Sequence, residues 1–337
     1  MIALSVLDQS PVRSGGTPAD ALNETVRLAQ AAERLGYRRY WLAEHHGSED
    51  FAGSAPEIMI TRVAAATSKI RVGSGGVMLS HYSPYKVAET FRLLETLYPG
   101  RVDLGIGRAP GADHITSVAL AYGSPIGIEY FPTKIADLTA FLTGGKPVTE
   151  ALAPVHVNPR ADTVPEIWLL GSSDESARYA AHFGLSFSFA QFISPLGGEA
   201  VLDAYRKNFR PSPLLAAPRA SIGIFVICAD TEEEARRLGR SRDLWRLRID
   251  RGERKPYPSV EEAEAYPYTP DELAHIERNR RRSFFGAPEQ LKAQLTELAG
   301  QFGVEELVIL TITHDPAARL RSYELLAQAF ALTPRAS

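Results

Sequence analysis

The sequence predicts an α/β fold, a (β/α)8 TIM barrel with inserted segments, from three observations. Short apolar runs alternate with stretches whose apolar residues recur at helical spacing, the pattern of strands joined by helices. Eight such runs occur along 337 residues. Strands separated by helices pair in parallel, and eight parallel strands in one chain favour a closed barrel. An open doubly wound sheet is the alternative.

The first half of the chain supplies four strands and the helices that follow them. Thr17 and Pro18 have the composition of a helix start, and Gly36 is suited to end that helix in the left-handed conformation. Ser54 and Glu57 have the spacing of a capping box that opens the second helix. The predicted strands cover residues 2–7, 39–43, 70–79 and 101–106.

The second half repeats the alternation, with strands predicted at 166–170, 185–190, 221–228 and 307–312. We expect one domain over residues 1–337, interrupted by insertions at about 109–133, 143–164 and 232–285. The last insertion is highly charged and is predicted to be helical, between the seventh and eighth strands. Its arginines indicate a solvated face or a subunit contact.

Composition narrows the classes of function. The chain has 37 basic and 40 acidic side chains, so the balance of charge favours neither nucleic acid nor an anionic membrane as a partner. One cysteine, Cys228, excludes an internal disulfide. The amino-terminal residues form an apparent strand without a basic leader or long apolar run, so we expect neither a signal peptide nor a membrane span. A cytoplasmic enzyme or binding protein is the expectation.

Candidate catalytic residues lie at the end of the second strand, in Glu44-His45-His46. Active sites of such barrels lie where strands end, and histidine titrates near neutrality. Adjacent strand residues point to opposite faces, so only one of the two histidines is expected to face the barrel mouth. A histidine that caps the strand by hydrogen bonds is the structural alternative.

Glycines interrupt the third strand at Gly73, Gly75 and Gly76. Such residues mark a bulge or the close approach of another group to the backbone. A flat ring stacked on bare backbone needs such a place, and relief of barrel curvature explains the glycines equally well.

Arg108 directly follows the fourth strand, in GIGRAPG at 105–111. The run superficially resembles a dinucleotide fingerprint, but its sixth position is proline and no helix clearly follows, so a Rossmann site is not expected. A guanidinium at this place is suited to bind a phosphate through two hydrogen bonds.

The fifth strand ends in Gly171-Ser172-Ser173, and a helix follows. Free N–H groups at a helix start, together with hydroxyls, form an anion site; a plain serine cap is the alternative. Asp174 and Glu175 suit the helix dipole but would repel an anion, so we expect both to face solvent.

Taken together, these segments resemble the bacterial-luciferase family of flavin-dependent monooxygenases, and in particular its single-chain oxidoreductases. The resemblance spans nearly the whole chain in order. The matching segments are WLAEHH at 41–46, GSGGVML at 73–79, YPGRVDLGIGRAPG at 98–111, GSS at 171–173, FGAPE at 285–289 and RSYELLA at 321–327.

The resemblance implies a barrel that binds reduced FMN and uses molecular oxygen to oxidise a small apolar substrate such as an aldehyde. A separate NAD(P)H-dependent flavin reductase would supply the reduced FMN, and a homodimer is the expected assembly. No nucleic acid, membrane or metal is expected to bind.

The resemblance also assigns roles to residues. His45 is implied to be catalytic, with Glu44 supporting its hydrogen-bond network. The peptide between Gly75 and Gly76 is implied to be cis beneath the flavin. The phosphate contacts are implied to be Gly171, Arg108, Ser172, Ser173 and, one turn into the helix, Ser176. Gly107 replaces the cysteine of the light-emitting member, which puts efficient luminescence in doubt.

Three other functions compete with this one. Related barrels host F420-dependent oxidoreductases, which transfer hydride without oxygen. Some members of the family bind flavin without catalysis. A metal-dependent hydrolase built on His45 and His46 is the third.

Overall fold

The computed structural model of the protein describes residues 2–109, 111–122, 127–160 and 162–334. Strands and helices alternate along most of this length. The strands are β1 Ala3–Asp8, β2 Arg39–Leu42, β3 Arg71–Met78, β4 Val102–Gly107, β5 Glu166–Gly171, β6 Ser186–Ala190, β7 Ala220–Cys228, β8 Ser283–Gly286 and β9 Glu306–Leu310. The helices are α1 Pro18–Leu35, α2 Pro56–Ala65, α3 Pro84–Leu97, α4 His114–Ala121, α5 Phe131–Thr143, α6 Asp174–Phe183, α7 Gly198–Asn208, α8 Glu232–Asp250, α9 Val260–Ala265, α10 Pro270–Arg280, α11 Pro288–Phe302 and α12 Pro316–Ala329.

Eight of the strands form a closed parallel barrel, which confirms the predicted fold. Strands β1 to β6 pair in sequence order, β6 pairs with β7, β7 pairs with β9, and β9 closes the ring on β1. The short strand β8 was not predicted and pairs in parallel with the carboxyl half of β7. Four residues that follow an arginine-rich helix end carry too little apolar periodicity to indicate a strand.

The observed start of α1 agrees with the sequence prediction, whereas the observed start of α2 differs from it. Thr17 and Asp20 form a capping box at α1, and Gly36 ends that helix with φ 91°. The capping box expected at Ser54 is wrong, because Ala55 is the N-cap of α2 and makes no side-chain cap. Proline at the first helical position fixes the start of α2 instead.

The insertion between β7 and the last barrel strand contains α8, α9, α10 and β8. Several of its arginines form exposed ion pairs, including Arg236 with Glu232 and Arg240 with Glu264. None of the described helices is both long and apolar enough to cross a membrane.

A buried ionic cluster closes the amino-terminal end of the barrel. Arg39, at the start of β2, contacts Asp103 and Glu306 at 2.7 Å each. The Nε1–H of Trp41 also donates to Asp103, at 2.9 Å. Charged groups with satisfied partners therefore fill this end, and the opposite, carboxyl end is left for chemistry.

Candidate active site

A cavity of about 280 Å³ opens at the carboxyl ends of the barrel strands. Its apolar wall includes Leu7, Trp41, Leu170, Phe192 and Val308. The structure also brings all seven residues expected to bind the cofactor to this one cavity. They are Gly75, Gly76, Arg108, Gly171, Ser172, Ser173 and Ser176.

One side of the cavity is formed by the bare backbone of Gly75 and Gly76. The peptide between them is cis, as predicted, and the pairing of β3 with β4 shifts register between Ser74 and Val77. A Cβ at Gly75 would lie 2.6 Å from the Leu7 side chain, and one at Gly76 would lie 2.8 Å from the Gly105 carbonyl oxygen. A side chain at either position would clash with these neighbours, so both positions require glycine, and the backbone there lines the cavity bare.

The start of α6 forms a cradle of hydroxyl and N–H groups. Ser173 is the N-cap of this helix, as predicted, and its Oγ lies 3.3 Å from the Oγ of Ser176. A Cβ at Gly171 would lie 2.5 Å from Ser176 Oγ, so only glycine leaves this cradle open. Free helix N–H groups beside hydroxyls suit an anion.

The charge beside this cradle differs from the expectation. Glu175 does not simply face solvent, because its carboxylate forms an ion pair with Arg108. The hydroxyl of Tyr179 donates to the same carboxylate at 2.9 Å, and this bond and Arg108 lower the pKa of Glu175. Asp174 is exposed, as expected. Glu175 lies in the first turn of α6, next to Arg108. The helix dipole predicts an acidic residue at this position, but it does not predict a contact with a residue on another element.

Glu44, just after the end of β2, is buried and forms hydrogen bonds to three neighbouring residues. Its side chain is 1% exposed. Its Oε1 accepts from the hydroxyl of Tyr82 and is hydrogen-bonded to His46 Nε2, both at 2.7 Å, and its Oε2 accepts from the backbone N–H of Met78 at 3.1 Å. Burial and Glu44 raise the pKa of Tyr82. Glu44 thus joins the ends of β2 and β3 beside the cavity.

His45 occupies the opposite face of this chain segment from Glu44. Its ring stacks on Phe51, with centroids 4.5 Å apart, and Phe51 in turn meets Trp245 of α8 at 5.9 Å. The Nδ1 atom of His45 is buried and has no hydrogen-bond partner among the described residues. Burial lowers the pKa of His45 to about 4, with smaller contributions from the neighbouring His46 and Arg254. His45 is therefore neutral at neutral pH.

Glu44 and His45 are not among the residues that line the cavity. Trp41, four residues before His45, does line it. The side chain of His46 turns to Glu44, whereas that of His45 stacks on Phe51, which packs on the same apolar cluster as Trp41.

The two histidines do not share a ligand position. His46 is bonded to Glu44, and His45 is stacked on Phe51. Within the described ranges, no group of three or more His, Cys, Asp or Glu side chains is arranged to hold a metal ion.

Several residues at the site were missed by sequence reasoning. Tyr82 comes from a loop and Trp245 from the inserted helix, and both belong to no motif, so no local signal could have found them. Glu175 was noticed but given the wrong role.

Comparison with known proteins shows to which family the chain belongs. A model of the family described as luciferase-like monooxygenase matches residues 2–306. Uncharacterized protein YceB of Bacillus subtilis (strain 168) is 48% identical over 330 residues, which cover 98% of this chain and 100% of that protein. N-acetyl-S-alkylcysteine monooxygenase of the same organism is 41% identical over 330 residues, which cover 98% of each.

Solved structures agree with this placement. The crystal structure of apo-MsnO8 has a TM-score of 0.92 and 43% identity, and the match covers 99% of this chain and 100% of that one. Two distant structures share the fold at a TM-score of 0.70. They are the oxygenating constituent of 3,6-diketocamphane monooxygenase from Pseudomonas putida in complex with FMN (19% identity, 100% of each chain) and an F420-dependent secondary alcohol dehydrogenase (15% identity, 97% and 98%). The chain therefore belongs to the luciferase-like monooxygenase family and is an oxidoreductase.

Proposed function

We propose that this protein is a flavin-dependent monooxygenase that uses reduced FMN and molecular oxygen. The observation that carries the proposal is the convergence on one cavity of an anion cradle, an arginine and a bare backbone surface. A phosphate and a planar ring joined in one molecule match these parts.

The proposed placement follows from the chemistry of each part. The phosphate would be held by Arg108, the hydroxyls of Ser172, Ser173 and Ser176, and the start of α6, beside the backbone of Gly171. The ring would lie against Gly75 and Gly76. When bound, reduced FMN supplies two electrons to oxygen, so that one oxygen atom enters the substrate and the other leaves as water.

The surrounding side chains have separate tasks in this proposal. The apolar wall keeps water from the reacting atoms. His45, in its neutral form, is the proposed acid–base group, because neutral imidazole both accepts and donates a proton. Glu44 acts through others, by fixing Tyr82, His46 and the backbone of Met78.

The proposed substrate class is a thioether carried on an N-acylated amino acid. The expectation from sequence was a small apolar molecule such as an aldehyde. The name of the relative N-acetyl-S-alkylcysteine monooxygenase supports the thioether, since that protein is 41% identical along 98% of the chain. An S-alkyl group also suits the apolar wall. Aldehydes remain the comparison class.

A separate NAD(P)H-dependent flavin reductase is the proposed source of reduced FMN, because the sequence has no dinucleotide fingerprint. A homodimer also stays a proposal. No observation on the described residues favours F420 over FMN.

The experiment has two stages. Anaerobic titration with reduced FMN, reduced riboflavin and reduced F420 tests the cofactor, and we expect reduced FMN to bind most tightly. Oxygen uptake is then followed with reduced FMN and either N-acetyl-S-alkylcysteines or aldehydes, using isotopically labelled oxygen. Incorporation of one labelled atom into the thioether substrate supports the proposal. Tight F420 binding without FMN binding, or flavin binding without oxygenation of either class, contradicts it.

A further inference from the structure

Arg242, in the inserted helix α8, is a buried guanidinium without a counter-charge. The residue is 4% exposed. Its Nε and Nη1 atoms are buried and have no hydrogen-bond partner, and no carboxylate in the described part of the chain forms an ion pair with it. Two other deeply buried arginines are paired, Arg39 with Asp103 and Arg319 with Asp8, each at 2.7 Å. Arg242 thus differs from these two arginines.

None of the described groups around Arg242 forms an ion pair with it, although Tyr257 and Asp243 lie near enough to raise its pKa. Its guanidinium carbon lies 4.6 Å from the centre of the Phe225 ring. The adjacent acid, Asp243, is turned to Arg280 at 2.8 Å. Arg246 and Arg282 add positive charge nearby, and burial lowers the pKa of Arg242 to about 10. A charge buried in this way is unfavourable until an anion joins it.

The position of Arg242 relates it to the cavity. Gly223 and Val308 are paired across β7 and β9, and both line the cavity. Phe225 and Leu310 form the next pair on the same face, one layer nearer the mouth. Successive pairs on one face are about 6.6 Å apart along a strand. The guanidinium over Phe225 therefore packs on the layer that follows the cavity-lining pair Gly223 and Val308 toward the carboxyl ends of β7 and β9.

The helix itself shows which way this side chain points. Ala235, Leu238 and Trp245 lie on the same face of α8 as Arg242, at spacings of three and four residues. These three belong to or pack on the apolar cluster that contains Leu7 and Trp41 of the barrel interior. Arg242 therefore points toward this apolar cluster, and Arg246 follows it one turn later along α8.

We propose that Arg242 binds the carboxylate of the substrate, so that the natural substrate is an apolar thioether with an anionic end. This inference rests on the proposed function and deepens it. Arg242 would hold the carboxylate at the mouth while the S-alkyl group enters the apolar cavity beside the flavin. A guanidinium matches a carboxylate through two parallel hydrogen bonds.

The first test compares N-acetyl-S-benzylcysteine with its neutral carboxamide, N-acetyl-S-benzylcysteinamide. We expect the wild-type protein to prefer the carboxylate in kcat/KM by roughly tenfold to a hundredfold, the range of a charge-assisted hydrogen bond. In Arg242→Met that ratio should fall toward one, and in Arg242→Lys it should be intermediate. Arg236→Met, on the exposed face of the same helix, is the matched control and should keep the wild-type ratio. Equal preference in wild type, or an unchanged ratio in Arg242→Met, overturns the inference.

The second test needs no turnover. Removing an unpaired buried charge should raise the denaturant midpoint of Arg242→Met above that of wild type. N-acetyl-S-benzylcysteine should raise the thermal midpoint of wild type and of Arg236→Met but not of Arg242→Met, and the carboxamide should raise none of them. Carboxylate binding without oxygenation would contradict the proposed function and leave the inference standing. No carboxylate-dependent stabilisation, with Arg242→Met less stable than wild type, would show that Arg242 serves the fold alone.

Discussion

The guanidinium of Arg108 and the carboxylate of Glu175 form an ion pair across the entrance to the anion cradle. Both side chains are about one third exposed, at 30% and 36%. Arg108 is also the residue that we assign to the flavin phosphate. In the proposed site, a phosphate would compete with Glu175 for Arg108, and this competition would weaken phosphate binding.

Glu175→Gln should tighten the binding of reduced FMN, because it removes the competing charge. Exposed ion pairs contribute about 0.2–1 kcal/mol, which corresponds to an affinity gain of about 1.4-fold to 5-fold. Anaerobic titration measures the effect. Reduced riboflavin, which has no phosphate, should bind equally to both proteins, and Asp174→Asn at the exposed neighbouring position should change neither affinity. Weaker FMN binding to Glu175→Gln would mean that Glu175 holds Arg108 in place for the phosphate.

His45 should make stability depend on pH. Its pKa is about 4 in the folded protein, below the ordinary 6.5. Between these values the unfolded chain takes up a proton that the folded chain does not, so stability is lost as the pH falls from about 6.5 to about 4. We expect the unfolding free energy of wild type, measured by denaturant titration, to fall relative to that of His45→Gln as the pH is lowered through this window. A difference that stays constant with pH would show that His45 titrates normally in the fold.

His45→Ala should slow oxygenation while flavin binding survives. General acid–base groups contribute about 10²-fold to 10⁴-fold in rate, so we expect a loss of at least about 10² in single-turnover rate. His46→Ala is the comparison, because His46 is bonded to Glu44. If His46→Ala is the damaging change and His45→Ala is not, the assignment of the catalytic histidine is wrong.

Gly75→Ala should damage the fold where Gly107→Ala does not. The new Cβ at position 75 would lie 2.6 Å from Leu7 and 2.9 Å from Trp41, whereas at 107 the nearest atom is the Met78 sulfur at 3.6 Å. Overpacking of this kind costs about 1–3 kcal/mol. Chemical denaturation of the two variants tests the difference. Equal stability of the two variants would show that Leu7 and Trp41 move at little cost to make room for the new Cβ.

The sequence was sufficient for the barrel and for most of the proposed cofactor site. Each barrel strand is a buried apolar run, and runs of this kind are visible without tertiary information. Gly75, Arg108 and Ser173 were found because glycine in a strand, a cation after a strand and a serine before a helix are local signals. The resemblance to a known family then indicated that these residues belong to one site.

The remaining features depend on contacts between distant segments. Ser54 has the spacing of a cap, but Pro56 sets the helix start, and Ala55 is the N-cap. The pairing of Glu175 with Arg108 joins residues 67 positions apart. The isolation of Arg242 is a property of everything around it. A local sequence pattern cannot predict which charged side chains lack an ion-pair partner in the folded protein.

The most direct test of the proposed cofactor site is the affinity of reduced FMN and reduced riboflavin for wild type and Arg108→Ala, measured by anaerobic titration. Charge-assisted hydrogen bonds to a phosphate contribute about 1.5–3 kcal/mol. We therefore expect Arg108→Ala to weaken reduced FMN binding about tenfold or more, with a much smaller loss for reduced riboflavin, and Arg108→Lys to recover part of the affinity. Equal losses for FMN and riboflavin would contradict the assignment, because they would place the phosphate away from Arg108.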